Sequence, residues 1–302
     1  MTFPTSSLFL SDAWLDAACG AQGWQRRVDT GGKGIAVREK RFWGMRKLNM
    51  PPLTPCFRLG NAKAERSGKR SSYYHELDRE TITLLSDWSA DYLSLVLDLP
   101  PALILPLSRA GFDLRPKLTY RIVLGEDIDL LKNYNRNTRR AVIRKFSVPL
   151  VLTAVAPAIA EDLFASLLLA KEVGWHLSGA TFQKLCDRFV PTGGLRVVGY
   201  QNPATAKYAA ALMTVRDGDW VYALFNYRDP AVDIDGNALQ RLYHEEMQRH
   251  RSQGAAVFDF NGSMLPGVEP FLRGFGGTRC VRYHAIRIEK RWMRWGMRLL
   301  KG

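Results

Sequence analysis

Asp259 is the residue most open to a chemical reading. It stands in FDFNGSMLPGVEPFLRGFGG (258–277), between two phenylalanines at the end of an apparent strand and directly before an Asn-Gly-Ser turn. Asp is depleted in strands because its carboxylate competes with the backbone for hydrogen bonds. Strand alternation puts Val257, Asp259 and Asn261 on one face and Phe258 and Phe260 on the other. A carboxylate facing a cleft can take the proton of an attacking nucleophile as general base. It can equally accept the N–H groups of Gly262 and Ser263 in an Asx-type turn that fixes the loop. Both roles stay open. Tyr227 and Arg228 end the strand of a preceding hairpin and could contact a substrate or protonate a leaving group, or be plain surface.

The segment DIDGNAL (233–239) opens a helix. Its small residues could cradle an anion on free N–H groups, or Asp233 or Asp235 could cap the helix while Gly236 shapes the turn. The stretch HEEMQRH (244–250) invites a metalloprotease reading, but its histidines are six positions apart and point to different sides of a helix, so no metal is expected there. Arg139, Arg140 and Arg144 lie in the run KNYNRNTRRAVIRK (132–145), either a solvated face or a grip on the phosphates of a tRNA or of a nucleotide- or lipid-linked acceptor. The tail IEKRWMRWGMRLLK (288–301) sets Ile288, Trp292, Trp295 and Leu299 against Arg287, Arg291, Arg294 and Arg298. Such a helix either packs on the protein or lies on an anionic membrane surface.

The elements that would position these residues alternate between helix and strand throughout the 302-residue chain. In the first half the pattern predicts a strand pair over 26–49, a helix over 78–88, strands over 91–98, 103–107 and 118–124, and a helix over 126–145. In the second it predicts strand 150–155, helices 158–172 and 179–190, strand 195–201 and a hairpin over 207–228 around the turn RDGD. Helix 237–253, strand 255–260, a short helix near 267–274 and strand 280–288 follow.

Lys and Arg number 43 against 29 Asp and Glu, a net charge of +14 that favours anionic partners. Four cysteines without a CxxC pair (Cys19, Cys56, Cys186, Cys280) argue against a zinc module or a disulfide framework and fit a reducing cytoplasm. No signal peptide is visible, and Asp98 with a Pro-Pro interrupts the most apolar stretch, 92–107. These features give the expectation of a cytoplasmic protein, peripheral to the inner membrane face if the tail binds lipid.

The element order of the second half resembles a GNAT acyltransferase domain, and FDFNGSMLPGVEPFLRGFGG resembles the signature segment of the FemAB-like branch. MPPLTPCFRL (50–59) and LTYRIVL (118–124) before the basic helix add weaker matches. The resemblance implies an α/β fold of two tandem GNAT-like domains, each a mixed twisted sheet flanked by helices. It implies domain 1–150 on the acceptor side, an acyltransferase domain over 151–286 and the basic tail 287–302. It further implies N-acyl transfer from acyl-CoA or aminoacyl-tRNA, as co-substrate rather than bound cofactor, to a small-molecule or precursor amine. The donor would lie where strands 220–228 and 255–260 splay, contacted by Gly236, Asn237, Ala238, Arg228 and Ser263, with Asp259 and Tyr227 as catalytic candidates. The small-residue spacing at Gly236 and Ala238 tips the donor to acyl-CoA, whereas carboxylates at Asp233 and Asp235 argue for the larger donor. The alternatives are a FemAB-type aminoacyl-tRNA-dependent ligase building peptide branches for the cell wall, and a non-catalytic module binding anionic lipid or nucleic acid.

Overall fold

The computed structural model describes residues 7–29, 33–42, 44–59, 79–170, 177–262 and 267–290. The chain forms two compact units, one from residues 1–117 and 281–302 and the other from 118–280. Each is a mixed sheet flanked by helices, as expected.

In the first unit a 3-10 turn (Leu8–Leu10) and α1 (Asp12–Cys19) precede β1 (Trp24–Val28), β2 (Gly34–Phe42) and β3 (Met45–Asn49). Then come β4 (Phe57–Arg58), helix α2 (79–86), β5 (Tyr92–Asp98) and α3 (Ile104–Arg109). The antiparallel meander β1-β2-β3 joins β5 in parallel through Lys47↔Tyr92 and Leu48↔Leu93. Alternation along β5 sends Leu93, Leu95 and Leu97 into a core with Trp14, Ile35, Val37 and Leu48.

The expected strand 103–107 is α3 instead. Pro100-Pro101 starts a helical turn, and Pro106 sits in the first turn of α3, where its missing N–H has no intrahelical partner to lose. A short Leu/Ile run carries no period that separates strand from buried helix.

The second unit contributes most of β6 (Asp113–Val123), then α4 (Leu130–Asn133), α5 (Arg136–Ile143), β7 (Val151–Ala154), α6 (Pro157–Ala170) and α7 (Gly179–Phe189). It continues with β8 (Leu195–Gln201), β9 (Tyr208–Asp217), β10 (Trp220–Arg228), α8 (Ala238–Ser252), β11 (Val257–Asp259) and α9 (Val268–Arg273). Its strands run in the order β6-β11-β10-β9-β8-β7. All neighbours are antiparallel except β10 and β11, which are parallel because α8 crosses between them. The hairpin turns at Gly218, whose φ of +63° suits the first position of a two-residue turn. The single helix expected over 126–145 is two, since Asn135 leaves the helical region and caps α5 by accepting the Thr138 N–H at 2.8 Å. Helix geometry over 237–253 puts Leu239, Leu242, Tyr243, Met247 and His250 on one apolar stripe of the sequence, and that face of α8 is buried.

The last strand, β12 (Thr278–Ile288), returns to the first unit and pairs antiparallel with β5 from Tyr283↔Leu97 to Ile288↔Tyr92. The compact units therefore divide at 117/118 and 280/281 rather than at 150/151 and 286/287. Two pairings explain the difference. β6 bonds β11, and α5 packs on α8, which draws 118–150 into the second unit. At the other end Arg287 and Ile288 are strand residues, not the start of a tail helix. The buried Arg287 guanidinium donates to the carbonyls of Leu85 (3.3 Å), Ser86 (3.1 Å) and Trp88, satisfying the C-terminal end of α2. Residues 291–302 of the basic tail lie outside the described residues. No helix among the described residues is long and apolar enough to cross a membrane.

Candidate functional site

The parallel pairing of β10 and β11 covers only Trp220↔Val257, Val221↔Phe258 and Tyr222↔Asp259. Beyond Tyr222 the strands separate. On β10 a bulge at Leu224 shifts the register against β9 between Ala223 and Phe225, which bends the strand. On the other side Phe260 N–H bonds the Tyr120 carbonyl at 3.0 Å, holding the chain to β6. Asn261 (φ +59°) and Gly262 (φ +69°) then turn it away. A Cβ at residue 262 would stand 2.2 Å from the Leu118 carbonyl oxygen, so only glycine permits this path.

A pocket of ≈ 150 Å³ fills the gap. Ala223, Leu224, Phe225 and Asn226 form its β10 wall, with Phe260, Asn261 and Gly262 opposite. α6 adds Phe164, Leu167 and Leu168, and α9 adds Val268 and Leu272. Phe164 stacks on Phe225 with ring centres 5.4 Å apart. At the inner end Tyr243 of α8 lies among Phe258, Phe260, Phe271 and Phe275 at centroid separations of 6.2, 5.2, 5.7 and 5.6 Å. From the segment 258–277 the pocket takes Phe260, Asn261, Gly262, Val268 and Leu272, and the Phe-Gly-Gly end of that segment is forced by packing: a Cβ at Gly276 would meet the Asn133 carbonyl oxygen at 2.0 Å.

Two polar side chains reach the pocket together. The Asn226 amide donates to the Tyr243 hydroxyl oxygen at 3.1 Å. Burial raises the Tyr243 phenol well above its ordinary range, so it stays protonated. With its oxygen accepting from Asn226, the Tyr243 hydroxyl keeps a proton to donate. Sequence reasoning placed Tyr243 in the apolar stripe of α8 and passed over Asn226. The available signals were a hydroxyl within that stripe and a lone amide in the apolar run YALFNYR.

Asp259 is fully buried and does not line the pocket. Its Oδ1 accepts from the Thr119 hydroxyl (2.6 Å) and the Asn261 N–H (2.8 Å), and its Oδ2 from Arg121 Nε (2.8 Å). The Arg121 guanidinium also stands 4.9 Å from the centre of the Trp220 ring. The carboxylate thus ties β11 to β6 and fixes the turn at Asn261. The turn bond goes to Asn261, not to Gly262, and Ser263 lies outside the described residues. Tyr227 is half-buried further along β10, paired with Ala211 and away from the pocket, its phenol raised first by burial and then by Asp229.

At the start of α8 the anion seat is taken by the protein itself. Asp233 Oδ1 accepts the N–H groups of Asn237 and Ala238, both at 3.1 Å, and Oδ2 accepts from Arg228 Nε at 2.6 Å. Arg228 is thereby committed to Asp233, and a Cβ at Gly236 would meet its guanidinium at 3.2 Å. Asp235 turns the other way, accepting the Ser147 N–H and hydroxyl (both 2.7 Å) with Arg144 at 3.3 Å. The Ser147 bonds, more than Arg144, hold its carboxyl below the ordinary range. Asn237 donates to the Arg144 carbonyl at 3.3 Å. Of the three expected donor contacts on this turn, Asn237 and Ala238 present their N–H groups to Asp233, and Gly236 supplies the bend.

Arg139 and Arg140 are exposed on α5 and make no ion pair among the described residues, whereas Arg144 bridges to Asp235. The two histidines of α8 part company as expected: His244 bonds Tyr134 and Gln248, and His250 bonds Thr214.

No family model matches the sequence, and no curated protein does. Solved structures match in fold. A FemX structure superposes with a TM-score of 0.62 at 11% identity, over 93% of both chains. The C-terminal domain of a candidate lysylphosphatidylglycerol synthetase from Agrobacterium fabrum matches with a TM-score of 0.50 at 11% identity, over 91% of this chain and 90% of that one. A Bacteroides thetaiotaomicron protein of unknown function matches with a TM-score of 0.50 at 12% identity, over 95% and 94%. The chain has a FemAB-like fold, that of the FemX structure.

Proposed function

We propose that this protein transfers an acyl or aminoacyl group from an activated ester or thioester to an acceptor amine, in the pocket where β10 and β11 part. The observation that carries the reading is the break in the parallel ladder after Tyr222/Asp259, with the Leu224 bulge and the Asn226–Tyr243 pair set into a largely apolar pocket. The acceptor nitrogen attacks the carbonyl carbon, a C–N bond forms, and the ester C–O or thioester C–S bond breaks. The amine loses one proton and the leaving oxygen or sulfur gains one. The Tyr243 hydroxyl supports the oxyanion or the leaving group, a contribution worth about 10²–10³-fold in other acyl-transfer sites.

The donor fits aminoacyl-tRNA better than acyl-CoA, reversing the preference drawn from spacing alone. A pyrophosphate at the start of α8 would have to displace Asp233 from two N–H groups and from Arg228. A tRNA needs no such seat, because its charge is spread over many phosphates. Exposed Arg139 and Arg140, in a chain of net charge +14, supply compatible cations. FemAB-like proteins use such donors, and the FemX match in fold is consistent with this reading.

The test is binding of charged tRNA and of acetyl-CoA at low and moderate salt, with the pair Arg139→Gln and Arg140→Gln. We expect tRNA affinity to fall steeply with salt and the double variant to flatten the slope. Micromolar acetyl-CoA binding, indifferent to both changes, would overturn the tRNA reading. Failure of both donors to bind would favour a non-catalytic module.

A further inference from the structure

The lining of the pocket at the β10–β11 parting defines what it can hold. Phe164, Leu167, Leu168, Phe225, Val268 and Leu272 supply apolar surface on three sides. Asn226, Asn261 and Tyr243 supply neutral polar atoms, and no Lys, Arg, Asp or Glu lines it among the described residues. The buried Asp259, next to Phe260 in sequence, is committed to Arg121, Thr119 and the Asn261 N–H and stands outside the lining. Among the described residues no counter-charge stands here to replace the hydration that a charged group would lose on entering. Size narrows the class further. The pocket is partly open to solvent, and its ≈ 150 Å³ is about the volume that admits a benzene ring in an engineered apolar cavity.

We propose that the transferred group is uncharged on its side chain and apolar, of branched-aliphatic to phenyl size, with that side chain seated between α6, α9 and β10. The inference rests on the acyl-transfer reading and names the class of group transferred. A short branched or arylacetyl thioester and a leucyl or phenylalanyl ester share this chemistry, and separate arms of the test tell them apart. Discrimination follows from the walls. One missing methylene in such a pocket is worth about 10–200-fold, so acetyl or alanyl groups leave it underfilled. Lysyl and succinyl groups bring an unpaired charge and are excluded more strongly.

The experiment uses the whole chain and hydroxylamine as a small surrogate amine, so that transfer is read as hydroxamate. One arm supplies acetyl-, isovaleryl-, phenylacetyl- and succinyl-CoA, and the other supplies tRNA charged with alanine, leucine, phenylalanine or lysine. In parallel, line broadening of 4-fluorophenylacetamide in fluorine NMR reports the pocket without donor or chemistry. Two variants at half-buried Leu168 change its volume in opposite senses, Leu168→Trp filling it and Leu168→Ala enlarging it. Melting curves confirm that each folds.

Apolar branched or phenyl groups should be transferred at least about 10-fold faster than acetyl or alanyl groups and about 10²-fold faster than charged ones, in whichever arm is active. The fluorinated probe should broaden with the native chain and with Leu168→Ala but not with Leu168→Trp. Transfer of lysyl or succinyl groups as fast as leucyl or phenylacetyl groups would overturn the proposal. So would probe binding that a folded Leu168→Trp leaves unchanged. No transfer in either arm, with Leu168-sensitive probe binding intact, would instead overturn the transferase reading and leave the pocket's selectivity standing.

Discussion

Replacing Asp233 tests whether the protein supplies its own anion at the start of α8. The carboxylate accepts two buried N–H groups, those of Asn237 and Ala238, and pairs with Arg228, whose side chain is 40% exposed. In Asp233→Ala both N–H groups lose their acceptor inside the protein. At about 1–3 kcal/mol for an unsatisfied buried group, and with partial relaxation of the turn, we expect a loss of roughly 3 kcal/mol. Asp233→Asn keeps a carbonyl oxygen for the two donors and loses only the ion pair, and Arg228 can turn to water, so about 1 kcal/mol should go. Urea unfolding at constant m-value measures both.

The vacated seat should then accept an external anion. If phosphate binds Asp233→Ala with a dissociation constant on the order of 10 mM, about 100 mM phosphate returns about 1.4 kcal/mol. Phosphate also stabilises proteins generally, so the decisive quantity is the gain of the Ala variant over that of the native chain at matched ionic strength. Equal gains would refute the reasoning, as would a loss below about 1 kcal/mol in Asp233→Ala.

Three further outcomes follow from the same geometry. Asp259→Asn leaves Arg121, whose side chain is 17% exposed, facing a neutral amide; the loss should be about 3 kcal/mol in denaturant unfolding, with transfer intact well below the melting transition, whereas lost transfer at full stability would make Asp259 a catalytic base. Tyr243→Phe should lower kcat about 10²-fold with KM and melting temperature nearly unchanged, and an unchanged kcat would remove the hydroxyl from the chemistry. Burial lowers His250 to about 4, so the unfolded chain takes up this proton first as pH falls through 6.5; stability should drop by roughly 3 kcal/mol between pH 6.5 and 4 relative to His250→Gln, in which Glu246 titrates alike and cancels. Parallel acid unfolding of the two proteins would show that the site does not titrate as described.

What could be read from the sequence was local or patterned. RDGD between apolar runs fixed the β9–β10 hairpin, the apolar stripe placed the buried face of α8, and alternation sent Phe258 and Phe260 inward. The cap role weighed for Asp233 is the one found, because Asp233 lies close enough in sequence for its helix to bond it. Hidden features depended on distant partners. Arg121 and Thr119 are about 140 residues before Asp259, so no spacing announces that the carboxylate is already committed. Asn226 and Tyr243 meet only because α8 folds back over β10. Arg287 read as one more basic residue of a helix, because nothing near it in sequence shows the three carbonyls at the end of α2 that claim its guanidinium.

The return of β12 to β5 sets an order of synthesis. Residues 118–280 are contiguous, so the second unit can assemble as soon as it leaves the ribosome. The first unit must wait for a strand that begins about 160 residues after its own first segment ends, some ten to thirty seconds at ordinary elongation rates. During that interval one edge of β5, with Leu93, Leu95 and Leu97 on its inner face, has no strand to pair with. A nascent chain paused before residue 281 should therefore recruit chaperones or aggregate through this edge. A synthetic peptide spanning β12 should relieve that tendency by adding the missing strand in trans.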